Sequence, residues 1–262
     1  MMKKSSNTNA TLNSNIALMQ APKRGLSWTT ALVVCITVLV FSILVKLGFW
    51  QLSRADEKAA WQQQLTARQA SAPLSYPQLL AMTTDTALTG YRLQVDVSPT
   101  ASPIIMLDNQ VYNGTVGYLV LQVMQVAPHE TALLVELGFV PGGIDRRALP
   151  QVQPITSSVS LSGRLYQKSL NPMSEQLFAE SGDPMRIQNL NITALQQQLQ
   201  RRLAPVVLQP TSRLPTELAH PWQPIPLSAH KHHGYALQWF AMAAAFALLM
   251  GYVWIRKIKT IS

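Results

Sequence analysis

Residues 28–45 read WTTALVVCITVLVFSILV, eighteen positions without a charge, a proline or a glycine. An α-helix rising 1.5 Å per residue needs about 20 mostly apolar residues to cross a bilayer. This run reaches that length by taking in Leu26 or Leu47. A second stretch at 235–255, YALQWFAMAAAFALLMGYVWI, has Gln238 as its one amide. A soluble core helix keeps a polar face, and neither stretch has one. Trp28 and Trp50 bracket the first; Tyr235, Trp239, Tyr252 and Trp254 bracket the second. Tyrosine and tryptophan settle at membrane interfaces. The first run is followed by Lys46 and LGFW rather than by a small-residue cleavage site, so it reads as an uncleaved anchor.

The charge fits the same picture. The net +9 of the 262-residue chain is not spread evenly. Every acid lies between Asp56 and Glu217, where bases balance them. The excess sits at Lys3, Lys4, Lys23, Arg24, Lys46, Lys231, Arg256, Lys257 and Lys259. Charge confined to the two ends argues against a nucleic-acid-binding domain. Cationic residues beside spanning helices stay on the cytoplasmic side. Both termini are therefore expected inside and residues 51–230 outside. Lys46 and Lys231 stand at the outer ends, against that rule. The only cysteine, Cys35, lies within the first span, so no disulfide is available to the outer domain.

Between the helices the period changes. No strong breaker follows Gly48, and the first helix is expected to continue to about residue 69. Residues 91–97 (YRLQVDV) and 159–166 alternate apolar and polar, as half-buried strands do. Residues 103–107, 117–126 and 133–140 are short apolar runs rich in Val, Ile and Leu, and Asn113-Gly114 is a hairpin signal. Further strands are expected at 185–190 and 205–208, and a helix at 193–203. Six prolines from Pro205 to Pro226 point to an extended return to the membrane.

The fold expected is a membrane protein. Two transmembrane α-helices flank an extracytoplasmic, antiparallel, β-rich, barrel-like α+β domain. In order, 1–25 is a disordered cytoplasmic segment, 26–47 the first spanning helix and 48–70 a juxtamembrane helix. Residues 71–209 form the outer domain, 210–231 the proline-rich return, 232–255 the second spanning helix and 256–262 a cytoplasmic tail.

No catalytic signature is present: no Walker loop, GxSxG, HExxH or CxxC. The chain is expected not to be an enzyme. The constellation that stands out is HKHHGY at 230–235. Imidazole ligates metals and haem iron, yet Lys, His and Tyr also anchor helix ends at headgroup depth. Both readings stay open on residues alone. So do two readings of Lys46, Trp50, Arg54 and Lys58, spaced four apart: a grip on carboxylates, or cations snorkelling at the interface. Ala243, Ala247 and Gly251 offer a small-residue face for helix packing. His129 and His220 read as exposed loop residues.

These residues and their order resemble the surfeit locus protein 1 (SURF1-like) family, assembly factors of cytochrome c oxidase. The matching segments are LGFWQLSR at 47–54 with Lys58, LDN at 107–109, GTVGY at 114–118, LLVELGFVP at 133–141, SGR at 162–164 and HHGYALQW at 232–239. Two positions depart from the family pattern. Leu137-Gly138-Phe139 replaces a usual Arg-Gly-Trp, and Ser98 stands where Gly is common. The resemblance implies handling of haem a, with His232 as axial ligand to its iron. Trp50, Tyr235 and Trp239 would pack on the macrocycle, and Arg54, Lys58 or Lys231 would meet its propionates. The partners implied are the oxidase catalytic subunit, other assembly factors, haem a synthase and the lipid bilayer. The place implied is a bacterial inner membrane, with the main domain periplasmic. The rival expectation is a scaffold that holds an oxidase intermediate without touching haem.

Overall fold

The computed structural model describes residues 27–82, 87–168, 175–212, 214, 218–222, 224 and 228–261. The segment expected to be disordered, 1–25, lies outside them. The chain divides into two compact units. One holds the residues up to Leu52 and from His233 onward; the other runs from Ser53 to His232.

In the first unit, helix α1 (Trp28–Ala70) contributes its N-terminal part and helix α4 (Ala229–Ile261) most of its length. The two run antiparallel. Lys257 Nζ near the end of α4 donates to Thr30 Oγ1 at 3.3 Å. Phe49 and Phe240 meet edge to face at 5.3 Å at the opposite end. Gly48 makes room for that ring: a Cβ there would lie 2.5 Å from Phe240. Leu32, Val33, Ile36, Val38, Leu39 and Ile43 are exposed on α1, as are Leu237, Leu248, Leu249 and Val253 on α4. Water-soluble proteins rarely expose so large a continuous apolar surface; this is a membrane protein. The small-residue face is used only in part within the chain. Ala243 is buried, but Ala247 and Gly251 are exposed. The inward positions of α4 instead recur as Ala236, Phe240, Ala243 and Met250, at the spacing of one helix face.

The second unit begins with the rest of α1, which runs unbroken to Ala70. A short helix, α2 (Tyr76–Ala81), follows, where no helix is expected from the sequence. Its start is set locally: Ser75 N–H donates to Gln78 Oε1 at 2.8 Å, and Pro77 suits a first turn. Then come β1 (Arg92–Pro99), β2 (Ile105–Tyr112), β3 (Thr115–Gln125), β4 (Ala132–Pro141), β5 (Val159–Tyr166), β6 (Met185–Ile187), α3 (Ile192–Leu199) and β7 (Leu203–Pro210). The β2–β3 turn is the expected one, with Asn113 at φ 47° and Gly114 at φ 78°. Helix α3 is shorter than predicted. Gln200 takes a left-handed φ of 49° and ends it, freeing Leu203 to open β7.

The strands form one sheet in the order β1-β5-β7-β4-β3-β2-β6. An additional β1–β3 pairing, Ser98 opposite Gln125, closes β1, β5, β7, β4 and β3 into a ring. Closure pairs both edges of those five strands, leaving β2 and the short β6 beyond β3. The sheet is not wholly antiparallel, as had been expected: β4–β7 and β2–β6 pair in parallel. Parallel pairing needs a crossover, and α3 supplies one ahead of β7. Pro205, which has no N–H for a ladder, is exposed and falls where the β4–β7 register shifts.

The two apolar patterns in the sequence now separate. β1 and β5 alternate because their outer faces meet solvent. β3 and β4 are mostly apolar on both faces because both faces are covered. Leu133, Val135 and Leu137 join one core cluster with Leu93, Leu161 and Leu208. Ala132 and Leu134 join the other, with Leu195 of α3.

Candidate functional site

Glu136 breaks the apolar run of β4. It shares the strand face of Leu134 and is 1% exposed. A buried carboxylate is costly unless donors surround it, and here they do. Tyr166 Oη donates to Oε2 at 2.9 Å, and Gln209 Nε2 to Oε1 at 2.9 Å. His220 Nδ1 lies 3.0 Å from Oε1. Gln209 is held in turn by Arg164, whose Nε donates to Oε1 at 2.7 Å. The Arg164 guanidinium lies 4.0 Å over the Trp222 ring.

The backbone explains why these groups meet. The order β5-β7-β4 puts Tyr166 and Arg164, Gln209, and Glu136 on three neighbouring strands. Arg164 and Tyr166 share a face of β5, and Arg164 is paired with Gln209. At Leu137 the β3–β4 register slips, and Gly138 takes φ 126°. The irregularity turns Phe139 N–H towards the return segment, where it donates to Ala219 O at 2.7 Å. A side chain at Gly138 would strike Leu218 Cβ. Ala219 is thereby pinned to β4, and His220 and Trp222 are carried over Glu136. His220 is therefore not the exposed loop residue expected; its side chain is 22% exposed and tied to Glu136. His129 departs likewise: it is half-buried, with its ring 5.4 Å from Tyr76.

A cavity of about 340 Å³ opens beside this network. Trp61, Val111, Leu119, Glu136, Tyr166, Lys168 and Trp222 are among its walls. Burial pushes the Tyr166 phenol well above its usual range, and the charge and hydrogen bond of Glu136 push the same way. Lys168 is exposed at the cavity rim, where neighbouring groups partly desolvate it and lower its proton affinity, with Glu136 opposing. Lys168 Nζ donates to Gln110 Oε1 at 2.6 Å.

The residues singled out from sequence are placed as follows. His232 lies in the first turns of α4, is 8% exposed and is engaged with a neighbouring group. Tyr235 is exposed and Trp239 half-buried, at i+3 and i+7 from His232 on the same helix. Trp50 is exposed. Arg54 pairs with Glu57 at 2.5 Å on the surface, and Lys58 stands 4.7 Å over Trp61. His230, Lys231 and His233 are exposed. The Glu136 network was missed. One signal was present: a lone acid inside an apolar strand run is expensive and calls for partners.

Two apolar helices and a closed β-ring between them in sequence define a membrane-anchored barrel protein. The profile of the SURF1 family matches residues 38–244, spanning both units, and the chain belongs to that family. This is a family of cytochrome oxidase assembly factors. No curated protein matches the chain.

Proposed function

We propose that this protein assists the delivery of haem a to the catalytic subunit of cytochrome c oxidase, or its insertion there. It does so without catalysing a reaction of its own. Haem a is its cargo, held in passing. Family membership carries this reading. It is supported by His232, a shielded imidazole in the first turns of a membrane helix. Imidazole is a common axial ligand of haem iron. Tyr235 and Trp239 offer flat aromatic surface on the same helix, and Trp50 on α1 offers more. Arg54, Lys58 and Lys231 are the cations assigned to the propionates. The exposed His230 and His233 are not assigned to the iron.

The setting proposed is a bacterial inner membrane with both termini cytoplasmic and residues 51–230 periplasmic. The flanking basic residues support that orientation. The catalytic subunit, haem a synthase and other assembly factors are the proposed partners. A single cysteine placed at Ile144, which is fully exposed, should react with a membrane-impermeant thiol reagent in spheroplasts, in a Cys35→Ser background. Protection there would reverse the orientation.

The haem assignment is tested by producing the protein with haem a and recording its visible spectrum. Wild type should carry haem, His233→Ala should match it, and His232→Ala should lose most of it. Equal haem in wild type and His232→Ala would remove the ligand assignment. A second reading, a scaffold that holds an oxidase intermediate without haem, is favoured by His232 already being engaged. Under that reading, deletion of the gene leaves oxidase fully haem-loaded but unstable.

A further inference from the structure

The cavity beside Glu136 is a separate matter from haem, since about 340 Å³ is at the small end of the roughly 300–1,000 Å³ of ligand pockets. Its inner chemistry is already occupied. Glu136 receives Tyr166, Gln209 and His220, three of the roughly four contacts a carboxylate can accept. The indoles in the wall also carry cations: Lys58 stands over Trp61 and Arg164 over Trp222. A second cation would find these rings engaged and would face Lys58, Arg164 and Lys168 against one carboxylate. An anion would find Lys168. That ammonium lines the cavity and donates to the neutral Gln110. Among the described residues it has no carboxylate within ion-pair distance. Its side chain is exposed at the rim of the cavity, open to an incoming anion. Val111, Leu119, Pro221 and Pro224 supply apolar wall, and Thr89 and Gln167 add neutral polar groups.

We propose that the outer domain binds a small organic anion in this cavity. Its carboxylate meets Lys168, and its flat or apolar body lies between Trp61 and Trp222. The site rests on the pocket alone and stands or falls apart from the haem reading.

The test uses the full chain in lipid nanodiscs with ligand-observed NMR. The probes are phenylbutyrate, the isosteric phenylbutylamine, and the long-chain acid palmitate. Phenylbutyrate should bind saturably and the amine should not. Lys168→Gln should weaken the acid about tenfold, the worth of one charge-assisted contact. Glu136→Gln should tighten it, because a repelling charge is gone. A preference for phenylbutyrate over palmitate marks a soluble acid as the source, and the reverse marks a membrane lipid; either upholds the site. The proposal is overturned if the amine binds as well as the acid, if Lys168→Gln leaves the acid unaffected, or if neither acid binds saturably.

Discussion

His220 Nδ1 lies 3.0 Å from Glu136 Oε1, joining residues 84 positions apart. The contact ties the segment leading to the second membrane helix to a carboxylate inside the sheet. Removing either partner should not cost the same. Glu136→Ala strands three polar partners and should destabilise the outer domain by about 3 kcal/mol. His220→Ala leaves Glu136 with Tyr166 and Gln209, and should cost about 1 kcal/mol. Thermal unfolding in detergent measures both; equal losses would mean that the carboxylate is not the centre of the network.

Gly138 takes φ 126° where the return segment crosses β4. Gly138→Ala meets both the backbone penalty and Leu218, and should lose about 2–4 kcal/mol. The segment at 218–222 should become sensitive to protease before the barrel does. Uniform protection in the variant would show that Gly138 does not pin the segment.

Alkaline pH should loosen the domain through two tyrosines. Burial raises Tyr76 above its usual 10.0, and burial with Glu136 raises Tyr166. A group whose folded pKa is raised gives stability that is full below the unfolded value. That stability is then lost as pH climbs through the folded one. The melting temperature should therefore fall above pH 10, about where the unfolded phenols begin to ionise. Tyr76→Phe forfeits the hydrogen bond to Thr131 O, costing about 1 kcal/mol at neutral pH. It should also flatten the alkaline slope. An unchanged slope in both Tyr76→Phe and Tyr166→Phe would assign the loss elsewhere.

In the membrane unit, Gly48 admits the Phe240 ring. Gly48→Val should push the helices apart there and cost about 1–3 kcal/mol, as overpacking does. Disulfide trapping between cysteines placed at Thr37 and Met250, whose side chains are 3.7 Å apart, should fall in Gly48→Val. Undiminished trapping would show that the interface absorbs the methyl groups.

Much of the fold was legible because local patterns and burial agree. The two spans, the turn at Asn113 and the alternating β1 and β5 were each readable from one stretch of sequence. The ring was harder, because strand order depends on pairings between distant segments. The parallel β4–β7 pair has no local signature, and α2 is too short to show a period. The Glu136 site was invisible for the same reason. Its members come from β4, β5, β7 and the return segment, and only the register at Arg164 and the slip at Leu137 bring them together. The seven proposed haem residues stood out because each is locally conspicuous: Trp50, Arg54, Lys58, Lys231, His232, Tyr235 and Trp239.

The strand order has a consequence for synthesis. β7 inserts between β4 and β5, although both are made before it. Until residue 210 has emerged, each of those two strands presents an unpaired backbone edge to its surroundings. Such edges invite aggregation. The nascent chain therefore has an interval of vulnerability that only its last strand closes. A chain stalled before β7 should need a holding chaperone, and one stalled after it should not.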